Sequence, residues 1–185
     1  MNQAADAVEK FLAGDERAFN RIVRQWETKV FNLAWRFLGN REDAQDVMQE
    51  TFLSVFRSIH HLRDPGSFST WLYRIALNHC RAHWRNRTNC LSLDDMASEE
   101  NGKVWLDQAV ASDSRASLEA ADLIRKSLVG VSDFHRTAII LKEYLGLSLE
   151  EVATVMECPL STAKSRLYHG LRDVQRNLKR LKVLA

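Results

Sequence analysis

The stretch SLEEVATVMECPLSTAKSRLYHGLRDVQRNL, residues 148–178, predicts two helices separated by a tight turn. Ser148 and Glu151 form a capping-box pattern, which places the start of the first helix at Ser148. Pro159 lacks an amide hydrogen and disfavours helix in the residue before it, so the first helix should end there. Ser161 is a suitable cap for the second helix. The pattern is typical of a helix-turn-helix motif.

The second helix carries an apolar stripe on one side and a basic, hydroxyl-rich face on the other. From Pro159 to the last residue the chain has seven Lys or Arg and one acid, Asp173. A helix that served only solubility would mix both signs, so this bias favours DNA contact over the ordinary alternative of a solvated face. In a helix-turn-helix the second helix enters the major groove. The candidate contacts, with Arg166 and Arg172 mainly on phosphates, are Ser161, Thr162, Lys164, Ser165, Arg166, Tyr168, His169 and Arg172.

The rest of the chain is also predicted to be helical. Its 185 residues include only 7 Gly and 2 Pro, and no segment alternates apolar and polar residues strictly enough for a strand. Periodicity and turn signals predict N-terminal helices at about residues 4–13, 16–38, 41–60 and 68–87, in an antiparallel bundle. We therefore expect an all-α protein of two small helical domains joined by a flexible linker. The expected boundaries are 1–88, 89–117 and 118–185.

Charge is segregated along the chain although the net charge is only +2. Residues 69–93 contain four arginines and no acid, whereas residues 94–122 contain eight acids and two basic residues. The order basic, acidic, basic predicts two nucleic-acid-binding blocks joined by an acidic connector.

Several classes of protein are disfavoured by composition and motif. The N-terminus is polar and no apolar run is long enough to span a bilayer, so we expect neither a signal peptide nor membrane insertion. Three widely spaced cysteines fit no zinc pattern and favour a reduced, cytoplasmic compartment. Because no nucleotide loop, metal cluster or nucleophile–base signature is visible, we expect no enzyme activity, cofactor or metal.

The third predicted helix has a polar face that contains one isolated leucine. An apolar anchor ringed by carboxylates suits a basic partner surface, although a solvated acidic face with a stray leucine explains the same pattern. Phe56 lies at the edge of this face. The candidate docking residues are Asp43, Asp46, Gln49, Glu50 and Leu53.

The fourth predicted helix interleaves aromatic residues with arginine. Aromatic rings can stack on unpaired bases and arginines can engage phosphates, while an amide such as that of Asn78 can read a base edge. For Trp71 and Tyr73 the alternative is an ordinary core or half-buried structural position, and Asn78 has the alternative of bonding only neighbouring backbone. The candidate residues are Phe68, Trp71, Tyr73, Arg74, Asn78, Arg81 and Arg85.

Three of these segments, in this order, resemble bacterial RNA polymerase sigma factors of the extracytoplasmic-function group in the sigma-70 family. DAQDVMQETFLSVF resembles the segment that docks on core polymerase, and FSTWLYRIALNHCRAHWR the segment that recognises and melts the minus-ten element. SLEEVATVMECPLSTAKSRLYHGLRDV resembles the minus-thirty-five helix-turn-helix. The usual Gly-Thr-Val at the start of the recognition helix is Ser161-Thr162-Ala163 here, and Ala82 replaces a frequent acid.

The resemblance implies a factor that lends promoter specificity to core RNA polymerase and helps to open promoter DNA. It implies that the docking residues bind the polymerase clamp and that residues 60–67, with Asn78 and the aromatics, capture flipped bases of the non-template strand. It also implies an anti-sigma factor as a partner. Two other functions fit parts of the sequence: a two-domain helix-turn-helix regulator that does not bind polymerase, and a helical adaptor for acidic proteins.

Overall fold

The computed structural model describes residues 3–91, 127–128 and 130–181, and these form two compact units, Met1–Leu91 and Ser92–Ala185. The regular structure in the described residues is helical, as the sequence predicted. From residue 92 onward the predicted linker lies outside the described residues. None of the described helices is long and apolar enough to cross a membrane.

The N-terminal unit contains four α-helices: α1 (Gln3–Leu12), α2 (Glu16–Leu38), α3 (Arg41–Ser58) and α4 (Phe68–Leu91). Two single 3₁₀ turns, Ile59–His61 and Pro65–Ser67, connect α3 to α4. The helix starts agree with the sequence prediction to within one residue. The fourth helix continues to Leu91, past the expected domain boundary at residue 88.

Local capping explains where α2 ends and α3 begins. Gly39 adopts a φ of 73°, which a residue without a Cβ reaches freely, and its N–H donates to the Trp35 carbonyl at 2.8 Å. The Asn40 side chain then accepts from the backbone N–H groups of Glu42 (2.8 Å) and Asp43 (3.1 Å). These bonds satisfy donors that a helix start otherwise leaves unpaired, and such a cap contributes about 1 kcal/mol.

Helix α2 lies at the centre of the N-terminal unit and packs against α1, α3 and α4. Each helix contributes one apolar face to the core, as the period of the sequence requires. The largest fully buried side chains of this unit are Val8, Ile22, Val30, Leu33, Phe37, Val47, Val55, Ile59, Phe68, Leu72 and Leu77.

The described part of the C-terminal unit contains α5 (Asp133–Ile139), one π turn (Ile140–Tyr144), α6 (Leu149–Val155) and α7 (Leu160–Arg180). The predicted capping box is present at α6: Ser148 accepts from the Glu151 N–H at 3.1 Å, and Glu151 accepts from the Ser148 N–H at 2.7 Å. Helix α7 packs against both α5 and α6. The helix-turn-helix prediction is therefore confirmed as α6, a tight turn and α7.

The cap predicted for the second helix of the motif was wrong by two residues. Pro159, not Ser161, is the cap, and its carbonyl accepts from the Ala163 N–H at 3.0 Å. Pro159 directly precedes the helix and makes no side-chain cap, but it has no N–H that the helix start would leave unpaired. Ser161 is consequently an exposed residue of the first turn of α7.

Candidate functional site

The acidic face of α3 is exposed and forms the first candidate surface, which we call the docking surface: Asp43, Asp46, Gln49, Glu50 and Leu53. Leu53 is 56% exposed, so its side chain is available to a partner on the face of α3 that points away from the core. Asp46, Gln49 and Glu50 are exposed around it, while Asp43 is half-buried. The structure thus brings the predicted set together on one side of α3.

Phe56 enlarges the apolar part of this surface. It is 50% exposed, and its ring meets Phe19 edge-on at 5.0 Å between centroids and Phe11 at 5.8 Å. The ring is therefore held in place from α1 and α2 while one side faces solvent. Sequence periodicity placed Phe56 only at the edge of the polar face, because the supporting rings come from other helices.

Two histidines of α4 face the acids of α3. His79 Nδ1 lies 3.2 Å from Glu50 Oε2, and its Nε2 lies 2.9 Å from the hydroxyl of Ser54. His83 Nδ1 lies 3.9 Å from Asp43 Oδ1. The sequence alone did not predict these contacts. The one signal in the sequence was helical spacing. His79 and His83 are four residues apart and lie on one side of α4, and Asp43 and Glu50 are seven residues apart and lie on one side of α3.

Two of the aromatic residues proposed to stack on bases are core residues. Phe68 is 0% and Tyr73 4% exposed, and both rings meet Trp26 of α2 edge-on, at 5.8 and 5.7 Å. The expectation that they stack on DNA is wrong for this structure, because neither ring presents a face to solvent. Trp71 is half-buried beside Phe68 and keeps part of its surface accessible.

The polar members of the fourth-helix set remain accessible. Asn78 and Arg85 are exposed, and Arg74 and Arg81 are half-buried. Asn78 is therefore not a buried structural amide. This exposed part of α4 combines one amide with three guanidinium groups, a combination that can pair with base edges and phosphates.

The connection before α4 is ordered by one carboxylate. Asp64 accepts hydrogen bonds from the Ser67 hydroxyl at 2.6 Å and from the Gly66 N–H at 2.9 Å. These bonds stabilise the charged form, so the Ser67 hydroxyl first and the Gly66 N–H second lower the pKa of Asp64 below its ordinary value. The connection thus has a defined conformation at neutral pH, with exposed residues His60, His61, Arg63 and Ser67.

Helix α7 presents the third candidate surface. Its buried side consists of Ala163, Leu167 and Gly170, and the opposite side carries the predicted DNA contacts. Tyr168 is 67% exposed, and Thr162 and Arg166 are half-buried. The exposed members of the set are Ser161, Lys164, Ser165, Tyr168, His169 and Arg172.

Residues of α5 contact this α7 surface, which the sequence did not reveal. The Arg166 guanidinium lies over the Phe134 ring, 4.5 Å from its centroid. The rings of His135 and His169 stack at 5.9 Å with an interplanar angle of 20°. Both contacts join helices that are separated in sequence by a π turn and the whole of α6, so no local pattern announces them.

The described residues do not form a metal-binding cluster. No group of three or more His, Cys, Asp or Glu side chains is placed there to hold a metal ion. Of the described cysteines, Cys80 is buried and Cys158 is half-buried.

Comparison with known proteins matches both units. A family model described as sigma-70 region 2 matches residues 22–90, and one described as sigma-70 region 4 matches residues 135–174. The chain is 34% identical over 184 residues to the RNA polymerase sigma-H factor of Pseudomonas aeruginosa, covering 97% of this chain and 95% of that protein. It is 33% identical over 173 residues to the ECF RNA polymerase sigma factor SigW of Bacillus subtilis, covering 91% and 92%.

Solved structures have the same fold. CnrH, in complex with the cytosolic domain of CnrY, superposes with a TM-score of 0.72 at 20% identity, covering 97% of this chain and 99% of that one. RpoE of Bartonella quintana, in complex with the anti-sigma factor NepR, gives a TM-score of 0.71 at 22% identity, covering 87% and 96%.

Proposed function

The chain belongs to the extracytoplasmic-function group of RNA polymerase sigma factors, which direct core polymerase to specific promoters, and we propose that it does so through three surfaces. The observation that carries this proposal is that both sigma-70 regions match in order on the two units that hold the surfaces. The protein contributes binding and positioning, without catalytic chemistry of its own, in the cytoplasm where its polymerase partner works.

The docking surface of α3 binds core RNA polymerase. Exposed Leu53 and Phe56 provide apolar contact area, and the surrounding acids Asp46 and Glu50 attract a basic partner. Charge complementarity steers the encounter, while the desolvated apolar centre supplies most of the affinity. The Glu50 carboxylate also lies 3.2 Å from His79 of α4, so it is oriented before the polymerase arrives.

The exposed part of α4 and the preceding connection bind the minus-ten element in its opened form. Taking a base out of the duplex costs a few kcal/mol, which contacts to the extruded base have to offset. The accessible amide of Asn78 suits a base edge, and the arginines Arg74, Arg81 and Arg85 suit the backbone phosphates. Because Phe68 and Tyr73 are buried, Trp71, the exposed Trp84 and residues 60–67 are the candidates for stacking contacts.

Helix α7 reads the minus-thirty-five element in the major groove. Lys164, Tyr168 and His169 project from its exposed face and are suited to base edges. Arg166 and Arg172 engage phosphates, which fixes the position of the helix on the duplex without adding sequence information. The packing of α7 against α5 and α6 leaves Lys164, Tyr168 and Arg172 exposed, which supports this assignment.

An anti-sigma factor regulates the protein. The support for this is that RpoE of Bartonella quintana, which has the same fold, was solved in complex with the anti-sigma factor NepR. The partner would cover the docking surface or the α7 surface, because either would prevent assembly of an active polymerase at a promoter.

Reconstituted transcription tests the proposed function. Core RNA polymerase plus this protein alone should start transcription at discrete sites on bacterial genomic fragments, and each component alone should not. A helix-turn-helix regulator would instead bind DNA without co-purifying with core polymerase, and a helical adaptor would bind neither core polymerase nor promoter DNA. Site-specific DNA binding by a protein that does not associate with core polymerase would overturn the proposal.

A further inference from the structure

The first turn of α5 lies beside the DNA-facing side of α7 and carries a half-exposed aromatic ring. Phe134 is 51% exposed, and the guanidinium of Arg166 lies over its face, 4.5 Å from the ring centroid. This distance is within the range of a cation–π interaction, in which the negative face of the ring attracts the cation. Arginine has many rotamers, so a contact of this kind selects one orientation of the guanidinium.

The position of Phe134 relative to α7 is itself fixed by its neighbours. Ser132 caps α5 by accepting from the His135 N–H at 3.4 Å. His135 Nδ1 lies 3.1 Å from Asp173 Oδ2 on α7, and Arg176 Nη1 lies 3.3 Å from the other oxygen of the same carboxylate. Asp173, the single acid of α7, therefore ties the first turn of α5 to the recognition helix.

We propose that Phe134 is a positioning residue for promoter binding: its ring holds the Arg166 guanidinium in the orientation that engages a phosphate of the minus-thirty-five element. The inference rests on the proposed phosphate role of Arg166. Because Arg166 is oriented before DNA arrives, less side-chain freedom is lost on binding and the contact contributes more to affinity. Phe134 acts through Arg166, and direct packing of the ring on DNA is the alternative that the experiment has to separate.

The experiment compares two substitutions at Phe134 in the full-length chain assembled with core polymerase. Phe134→Leu keeps an apolar side chain but removes the π face, whereas Phe134→Tyr keeps the π face. The probe is a duplex enriched by the wild-type holoenzyme from a random pool, and its dissociation constant is measured across a range of KCl concentrations. Phe134→Leu should weaken binding about two- to fivefold, and Phe134→Tyr should restore wild-type affinity.

The salt dependence identifies which contact is lost. The slope of log affinity against log salt is negative, and loss of one phosphate contact makes it less steep by about 0.9, so Phe134→Leu should reduce its steepness by up to that amount. The sequence preference of the selected duplexes should not change, because a phosphate contact carries no base information.

A double-mutant cycle with Arg166→Ala decides whether Phe134 acts through Arg166. In the Arg166→Ala background, Phe134→Leu should cause no further loss of affinity. An equal loss in both backgrounds would overturn the proposal and indicate that the ring acts independently, for instance by touching DNA. A stability change caused by Phe134→Leu would appear in both backgrounds and cancel in the cycle. If Arg166→Ala alone binds like the wild type, the phosphate role given to Arg166 fails first, a different result from failure of the coupling.

Discussion

Gly170 allows the recognition helix to approach α5 closely, and Gly170→Ala should destabilise the C-terminal unit. A Cβ placed on Gly170 would lie 2.9 Å from Ile139 Cδ1, 3.1 Å from His135 Cβ and 3.1 Å from the His135 carbonyl oxygen. The terminal methyl of Ile139 can move at small cost. The His135 carbonyl belongs to the backbone of α5, so relieving that contact requires the two helices to separate.

The expected magnitude follows from two opposing effects. In an exposed helix interior, replacing Gly by Ala stabilises by about 1 kcal/mol. Overpacking a tight interior costs about 1–3 kcal/mol. Two of the three contacts involve atoms close to or within the backbone of α5, so crowding should win, and the net loss should be about 1 kcal/mol. The same separation of α5 and α7 would loosen the contacts that orient Arg166 and His169.

Hydrogen exchange of the α5 and α7 backbone amides measures this effect, because it reports the opening free energy of this unit by itself. Ile139→Val removes the Cδ1 atom and serves as the partner variant. Alone it should cost about 0.5–1.5 kcal/mol, and in combination the penalty of Gly170→Ala should shrink. If Gly170→Ala slows exchange in α7, helix propensity outweighs crowding and the steric reasoning is refuted.

Three further predictions concern the other surfaces. Asp46→Arg combined with Leu53→Ala should weaken core-polymerase binding about 100-fold or more while helicity is retained. The control variant Gln45→Ala, at an exposed position of the same helix, should bind normally. Near-normal affinity of the double variant would contradict the docking assignment. Asn78→Ala should bind core polymerase normally yet fail to open duplex promoters, with partial rescue by a pre-melted bubble; a normal bubble in permanganate footprinting would remove this residue from the melting site. The hydrogen bonds that Asp64 accepts lower its pKa in the folded protein. The ordering that these bonds provide is therefore present above the pKa of Asp64 in the unfolded chain and is lost as the pH falls through the lower pKa of the folded protein. The chemical shift of the Gly66 amide should titrate below the ordinary Asp range, and it should show no such titration in Asp64→Asn.

The sequence alone determined the helices of the N-terminal unit and of the helix-turn-helix, with the polar faces of α3 and α7, because these depend on residues close together in the chain. The capping box at Ser148 needs only Glu151 three residues later, and both of its hydrogen bonds are present. The docking surface of α3 and the exposed face of α7 follow from the helical repeat of polar and apolar residues. Sequence similarity over most of the chain then identifies the family.

The tertiary structure decided which of these residues are accessible and which support them. Periodicity could not separate Phe68 and Tyr73 from stacking residues, because their burial depends on Trp26 of another helix. The contacts of His79 with Ser54 and of His135 with Asp173 join residues 25 and 38 positions apart. Such pairs form only when helices pack at one particular angle and register, and packing is a property of the assembled core that no local stretch of sequence encodes by itself.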